Sequence, residues 1–273
     1  MICTVKNLQI YYEEHGTGTP VLCVHGYHSS HRAMTGCFEP IFTQLEGYRR
    51  IYIDLPGMGQ SSSASWLKDA DTMLDVLRTF IDTILPNQTF LLAGASYGGY
   101  LARGLLYTMP EQIDGALLLF PPITARMEDR TLPPKCVLEI SDLLDPSVPG
   151  LNAFLNMAVI ATPETYERYR QDILPGIQAA DLTFTARFKA GGYRLTFEDK
   201  MASALFPKPV SILTGRQDHI TGYVQAFELL AQFPRATYAT LDRCGHLLQI
   251  ENTPLFNQHV LDWLKRTELQ QTH

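Results

Sequence analysis

Short apolar runs recur along the chain, each followed by a glycine-bearing loop and then by apolar residues at helical spacing. Residues 9–14 alternate as an edge strand, and Gly16-Thr17-Gly18 turns the chain toward Val21-Leu22-Cys23-Val24. Residues 50–53 form the next compact strand. Over 72–85, Met73, Leu74, Leu77, Phe80, Ile81 and Ile84 fall on one helical face, which stops before Pro86. Residues 90–93 then read as a buried strand, 98–107 as a helix and 116–120 as a further strand. Runs that are apolar throughout, alternating with helices, predict a mostly parallel sheet covered on both faces.

The rhythm breaks at Pro121-Pro122 and resumes at Pro207 and Pro209. Between these points the segments 133–144, 151–160, 163–173 and 181–189 read as helices without comparable strands. Strand 210–213, helix 223–233, strand 236–241 and helix 254–266 follow. The expected architecture is therefore an α/β core from 1–121 and 206–273, with a helical cap inserted at 122–205. No internal repeat or low-complexity segment interrupts it.

The sharpest chemical signal is Gly94-Ala95-Ser96-Tyr97-Gly98, followed by Gly99, between a predicted strand and a predicted helix. A serine on so tight a turn fits a nucleophile elbow, because side chains at 94 or 98 would collide with neighbouring backbone. The helix that starts there also points free N–H groups at the reaction site. A serine hydroxyl needs a positioned base to act near neutral pH. His246 follows the last predicted strand and Asp218 the strand before it, so both fall at the carboxyl edge of the sheet. His219 is the alternative base, but as the immediate neighbour of Asp218 it is poorly placed to meet Ser96.

Val24-His25-Gly26, the loop Asp54-Leu55-Pro56-Gly57-Met58-Gly59-Gln60-Ser61, the Ser96 turn, Asp218 and His246 together resemble the α/β-hydrolase superfamily, in its serine branch. The resemblance spans the core and is weakest over the cap. It implies a Ser96–His246–Asp218 triad and an oxyanion hole built from the backbone N–H groups of Tyr27 and Tyr97. His25 and the Asp54 loop are expected to be structural. The serine argues against the carboxylate-dependent dehalogenases and epoxide hydrolases. Ala95 stands where His, Gln or Asn is frequent in the superfamily.

These features predict a serine hydrolase acting on a small, apolar carboxylic ester through an acyl-enzyme. Lactone, thioester or carbon–carbon bond hydrolysis on the same triad, or a small-molecule receptor that closes its lid, stay open as alternatives. The triad requires no cofactor. His25, His28 and His31 recur every three residues, but without an accompanying carboxylate in their loop they match no established metal-ligand pattern.

Composition narrows the partners further. Hydrophobic residues make up 45% of the 273 and charged residues 18%, enough apolar material for a large core. The net charge of −6 and the absence of basic runs disfavour nucleic acid. No apolar stretch approaches a membrane span, and residues 1–6 carry no signal-peptide pattern. Five scattered cysteines without a Cys-x-x-Cys pair suit a reducing compartment, so a cytoplasmic location is expected. Residues 122–205 carry nine Lys or Arg against eleven Asp or Glu, which exerts no strong pull on a polyanion. Of the apolar cap residues Phe154, Met157, Val159, Ile160, Phe184, Phe188 and Tyr193, most are expected to pack and a few to line a pocket. Nothing in the chain signals an oligomeric state.

Overall fold

The computed structural model describes residues 1–271. An antiparallel hairpin of β1 (Ile2–Val5) and β2 (Leu8–His15) opens the chain. Strand β3 (Thr19–Val24) runs through α1 (His31–Phe42) to β4 (Tyr48–Ile53), then through α2 (Ala70–Ile84) to β5 (Phe90–Ala95). Helix α3 (Tyr97–Thr108) leads to β6 (Ile113–Leu119). The chain then leaves the sheet for β7 (Glu139–Ile140), α4 (Leu151–Leu155), β8 (Ile160–Ala161), α5 (Pro163–Asp172), α6 (Leu174–Ala179), α7 (Leu182–Gly192) and α8 (Glu198–Met201). It returns as β9 (Val210–Gly215), α9 (Val224–Phe227), β10 (Ala236–Leu241), α10 (Leu248–Glu251) and the long α11 (Thr253–Gln271).

The main sheet has the order β1-β2-β4-β3-β5-β6-β9-β10, antiparallel at its β1-β2-β4 edge and parallel from β4 onward. This is the mostly parallel, doubly covered sheet expected from the apolar runs. The alternation of strand side chains explains both layers. Leu22, Val24, Ile51, Leu92 and Leu118 pack with Leu77, Phe80 and Leu101 of α2 and α3. Their neighbours Val21, Cys23, Tyr52, Leu91 and Leu117 pack with Phe38 of α1 and Trp263 of α11 on the other side. The strand order reverses at β3, whose neighbours are β4 on one side and β5 on the other. Such a switch point opens a crevice at the carboxyl ends of β3 and β5.

Three segments differ from the expected elements. Residues 133–144 form no helix, because their apolar side chains find no core: Leu138, Ile140 and Leu143 are 49%, 62% and 83% exposed. Their backbone instead pairs with β8, Leu138 N–H donating to Val159 at 2.8 Å and Ser141 N–H to Ala161 at 2.9 Å. The helix expected over 151–160 ends at Leu155, where the chain turns out to reach β8. That expected over 223–233 is one turn of α9 continued as a 3-10 turn, Glu228–Ala231.

Helix α1 lies outside the expected elements because Gly36 and Pro40 interrupt its pattern. Both residues are explained by α5. Proline at 40 has no N–H to give the Gly36 carbonyl, and Arg168 of α5 donates to that carbonyl at 2.9 Å instead. A Cβ at Gly36 would lie 2.3 Å from the Asp172 carboxylate carbon, and Asp172 is ion-paired with Arg168 at 2.9 Å.

Two buried features fix the crevice. Asp54, at the end of β4, accepts the His31 N–H at 2.6 Å and the Gln60 N–H at 2.8 Å, and contacts His31 Nδ1 at 2.9 Å. Burial alone would raise its carboxyl, but the bond from His31 and the charges of His31 and His25 bring it below the ordinary range. The second feature is the approach of α3 to β3. A Cβ at Gly98 would stand 2.2 Å from the Val24 carbonyl oxygen and 2.5 Å from that of His25.

Asp54→Asn aims an amide donor at one of two N–H groups and is expected to cost about 1–3 kcal/mol in urea unfolding. Because the Asp54 pKa is lowered on folding, its charge stabilises the fold above the unfolded value of about 4 and ceases to do so as pH falls through the folded one. The gap between wild type and variant should therefore narrow as unfolding is repeated at decreasing pH below about 4. Gly98→Ala should destabilise by about 1–3 kcal/mol in the same assay through overpacking against β3.

Candidate active site

Ser96 caps α3 with φ 52° and ψ −120°, a left-handed conformation that side chains rarely adopt. The turn is fixed from both ends: Ser96 N–H donates to the Leu119 carbonyl at 2.9 Å, and the Ser96 carbonyl accepts from Tyr100 at 3.0 Å. Glycines permit the close approaches around it. A Cβ at Gly94 would meet the Gly98 carbonyl oxygen at 2.5 Å, and one at Gly26 would meet the Ser96 Cβ at 3.0 Å.

Strands β9 and β10 bring the other two residues to this turn. The Nε2 of His246 lies 3.0 Å from Ser96 Oγ, and its Nδ1 lies 2.9 Å from Asp218 Oδ2. Asp218 is fully buried. Its Oδ1 accepts the N–H groups of Ile220 at 2.8 Å and Thr221 at 3.1 Å, and its Oδ2 accepts the Thr221 hydroxyl at 2.7 Å. Burial would raise this carboxyl, yet the His246 imidazole and the Thr221 donors hold it below the ordinary carboxylate range. The Phe120 ring packs on the imidazole at 4.6 Å between centroids. His219 does not join this chain and faces the main chain of Asn156.

Tyr97 is the first residue of α3, so its N–H has no carbonyl one turn back within the helix. Tyr27 follows β3 across the switch point, and its ring meets that of Tyr97 edge-on at 5.6 Å. The two side chains thus pack with each other, and Tyr27 lines the cavity together with Ser96.

The histidines of the β3–α1 segment serve separate contacts. His25 is buried, accepts the Leu55 N–H on Nε2 at 2.9 Å and contacts the Gly26 carbonyl through Nδ1 at 2.6 Å. Burial lowers its pKa, and the two contacts hold the loop in place. His31 bridges Asp54 and Glu13, at 2.9 and 3.1 Å. His28 lines the cavity beside Tyr27. Among the described residues, no group of three or more His, Cys, Asp or Glu could hold a metal ion. No described helix is long and apolar enough to cross a membrane.

A cavity of about 860 Å³ opens over Ser96 and His246. Its lining includes the apolar side chains of Ala33, Met34, Cys37, Met157, Ile173 and Ile177. It also includes Arg126, Arg130, Lys189 and Arg194, of which Arg126 is ion-paired with Glu128 at 2.8 Å and Arg194 with Glu198 at 2.8 Å. Of the apolar residues singled out between 122 and 205, Met157 and Tyr193 line the cavity. Phe154, Phe184 and Phe188 are buried in the hydrophobic clusters instead.

Sequence reasoning missed Arg130 and Glu251. Arg130 gives one hydrogen bond each to the carbonyls of Thr124, Ala125 and Ile220, at 3.1, 2.9 and 2.9 Å. It thereby ties the exit of β6 to the Asp218 turn, yet an arginine in a loop looks like any solvated charge. Glu251 is half-buried and accepts the N–H of Gly245, the residue before His246, and a glutamate in a short helix carries no local sign of that.

A family model described as the alpha/beta hydrolase family matches residues 21–258. A 2-hydroxy-6-oxononadienedioate/2-hydroxy-6-oxononatrienedioate hydrolase of Burkholderia vietnamiensis is 26% identical, over 95% of this chain and 92% of that protein. A pimeloyl-acyl-carrier-protein methyl ester esterase of Nitrosomonas europaea is 28% identical, over 87% of this chain and 92% of that one. The crystal structure of an alpha/beta superfamily hydrolase from Oenococcus oeni PSU-1 superimposes with a TM-score of 0.91 at 30% identity, covering 98% and 99% of the two chains. With a matching family model over most of its length and a near-superimposable fold, this chain belongs to the α/β hydrolase family.

Proposed function

We propose that the protein is a serine hydrolase that cleaves a carboxylic ester through an acyl-enzyme, with Ser96 as nucleophile, His246 as base and Asp218 as its orienting acid. The observation that carries this reading is the unbroken contact from Ser96 Oγ through the imidazole to a buried carboxylate, at 3.0 and 2.9 Å, under a cavity large enough for a substrate. Residues 122–205 act as the cap, since most of the polar and apolar lining opposite Ser96 comes from them.

In this mechanism Ser96 Oγ attacks the acyl carbon while His246 Nε2 takes its proton. The carbonyl oxygen becomes an oxyanion and accepts from the N–H groups of Tyr27 and Tyr97, each worth about 3 kcal/mol to the barrier. Asp218, kept ionised by its donors, stabilises the imidazolium. The imidazolium gives its proton to the leaving oxygen, and the acyl group stays on Ser96. Water, deprotonated by the same nitrogen, then releases the acid and restores the serine.

A second reading has a specific observation in its favour. The lysine and arginines among the cavity lining suit a substrate bearing a carboxylate, and the Burkholderia relative is named for a dioate. Hydrolysis of a carbon–carbon bond beside a ketone would use the same serine, with a carbon leaving group that His246 protonates.

A fluorophosphonate probe should label the protein rapidly and Ser96→Ala not at all. Asp218→Asn should lower kcat by about 10³- to 10⁴-fold with the fold intact. A panel of p-nitrophenyl esters, neutral and ω-carboxylated, run beside a 2-hydroxy-6-oxodienoate separates the chemistries. Ester turnover supports the first reading, whereas fast labelling with dienoate turnover alone transfers the site to the second. A folded protein that resists the probe would sink both.

A further inference from the structure

The carboxylate of Glu251 stands between two segments of the protein, the loop before His246 and the start of β8. Its Oε2 accepts the N–H of Gly245, the residue before His246, at 2.6 Å. Its Oε1 accepts the N–H of Val159 at 2.5 Å and that of Ile160 at 3.3 Å, where the chain enters β8. The first contact closes a short ring of backbone around His246, because α10 starts just after the histidine and turns Glu251 back toward Gly245. The second fastens that ring to the segment next to Met157, which lines the cavity.

Other contacts hold the same loop, and Cys244 N–H donates to Gln217 Oε1 at 3.1 Å. Cys244 and Gly245 are held on the far side by the Asp218 turn, where Gln217 N–H donates to the Cys244 carbonyl at 2.9 Å. A Cβ at Gly245 would meet Val159 Cγ2 at 2.8 Å, so the loop and the 159–160 segment are already in contact. Leu247 and Ile250 of the same turn share one hydrophobic cluster with Phe154, Ala158, Ala161 and Tyr169. Burial pushes the Glu251 carboxyl above the ordinary range, against the opposing pull of its three N–H donors.

We propose that Glu251 is a positioning residue that couples the seating of the Val159–Ile160 segment to the placement of the His246 ring. The inference rests on the triad reading above. It makes the Ser96–His246 contact depend on how the residues roofing the cavity lie, so that a substrate which settles them also aligns the base.

Glu251→Gln keeps the size of the side chain but turns an amide donor toward one of its N–H partners, so it can serve one side only. Three measurements on the purified full chain test the coupling. Fluorophosphonate labelling per folded molecule should slow by about 10- to 100-fold, the scale of a small misplacement of a catalytic group. On the best substrate kcat should fall while KM holds. Hydrogen exchange should quicken in peptides covering 157–162 and 243–247 together. Wild-type labelling by folded Glu251→Gln, or loss of protection in only one of the two peptides, overturns the proposal. If that variant does not fold, Glu251→Asp, one methylene too short to reach both sides, carries the same readouts. Wild-type behaviour of Glu251 variants beside a silent Ser96→Ala removes this inference alone, whereas labelling that survives in Ser96→Ala removes the triad reading and this one with it.

Discussion

The architecture around the site depends on one backbone conformation. Ser96 holds a side chain at φ 52°, a region that costs a non-glycine residue on the order of 1–3 kcal/mol. That cost is tolerated because β5, β6, β3 and the first turn of α3 all converge on it. Leu119 takes its N–H, Tyr100 donates to its carbonyl, and Gly26, Gly94 and Gly98 let main chains approach to distances that a side chain would forbid. Moving Ser96 into an ordinary conformation would disrupt each of those packings. A hydroxyl thus stands in the crevice with its rotational freedom already removed.

Around that fixed point stand three carboxylates, Asp54 and Asp218 fully buried and Glu251 half-buried, each satisfied by backbone N–H groups. Asp54 fixes the neighbouring loop after β4, Asp218 orients the imidazole, and Glu251 clasps the loop that carries it. Their environments push them apart. Asp54 and Asp218 face imidazoles that favour the ionised form, while Glu251 is raised by burial and by the charge of Asp218. Burying charge in this way is costly in a low-dielectric interior unless every lone pair is used, and these acids meet that condition mainly through main-chain donors.

Which parts of this were legible in the sequence follows from where each constraint originates. The left-handed serine was legible because its backbone demands glycines at fixed offsets, and Asp218 and His246 because they follow apolar strands directly. The sheet was legible from runs that both faces had to bury. Helix α1 was not, since Gly36 and Pro40 break its pattern for reasons that lie in Asp172 and Arg168 of another helix. The stretch 133–144 misled in the opposite way: it reads as a helix, yet its apolar Leu138, Ile140 and Leu143 remain exposed beside β8. Glu251 was hidden because its partners are backbone groups more than ninety positions away in sequence for Val159, at a separation of 92, and backbone donors leave no mark on composition.

The exchange at Gly36 has a bearing on how residues 122–205 could be traded for another sequence. Because Pro40 gives α1 no donor for that carbonyl, the helix presents an acceptor that only an outside group can satisfy, and the group it uses is a guanidinium already steered by Asp172. The seam between α1 and α5 is therefore chemically keyed on the α1 side. A graft that replaced 122–205 with a foreign sequence of similar shape would inherit the lock without the key, unless it placed an arginine one turn from an acid at the same height on its docking helix. Shape alone would not make two such segments interchangeable here; the pairing of a proline on one side with an Arg–Asp couple on the other is what a compatible donor would have to reproduce.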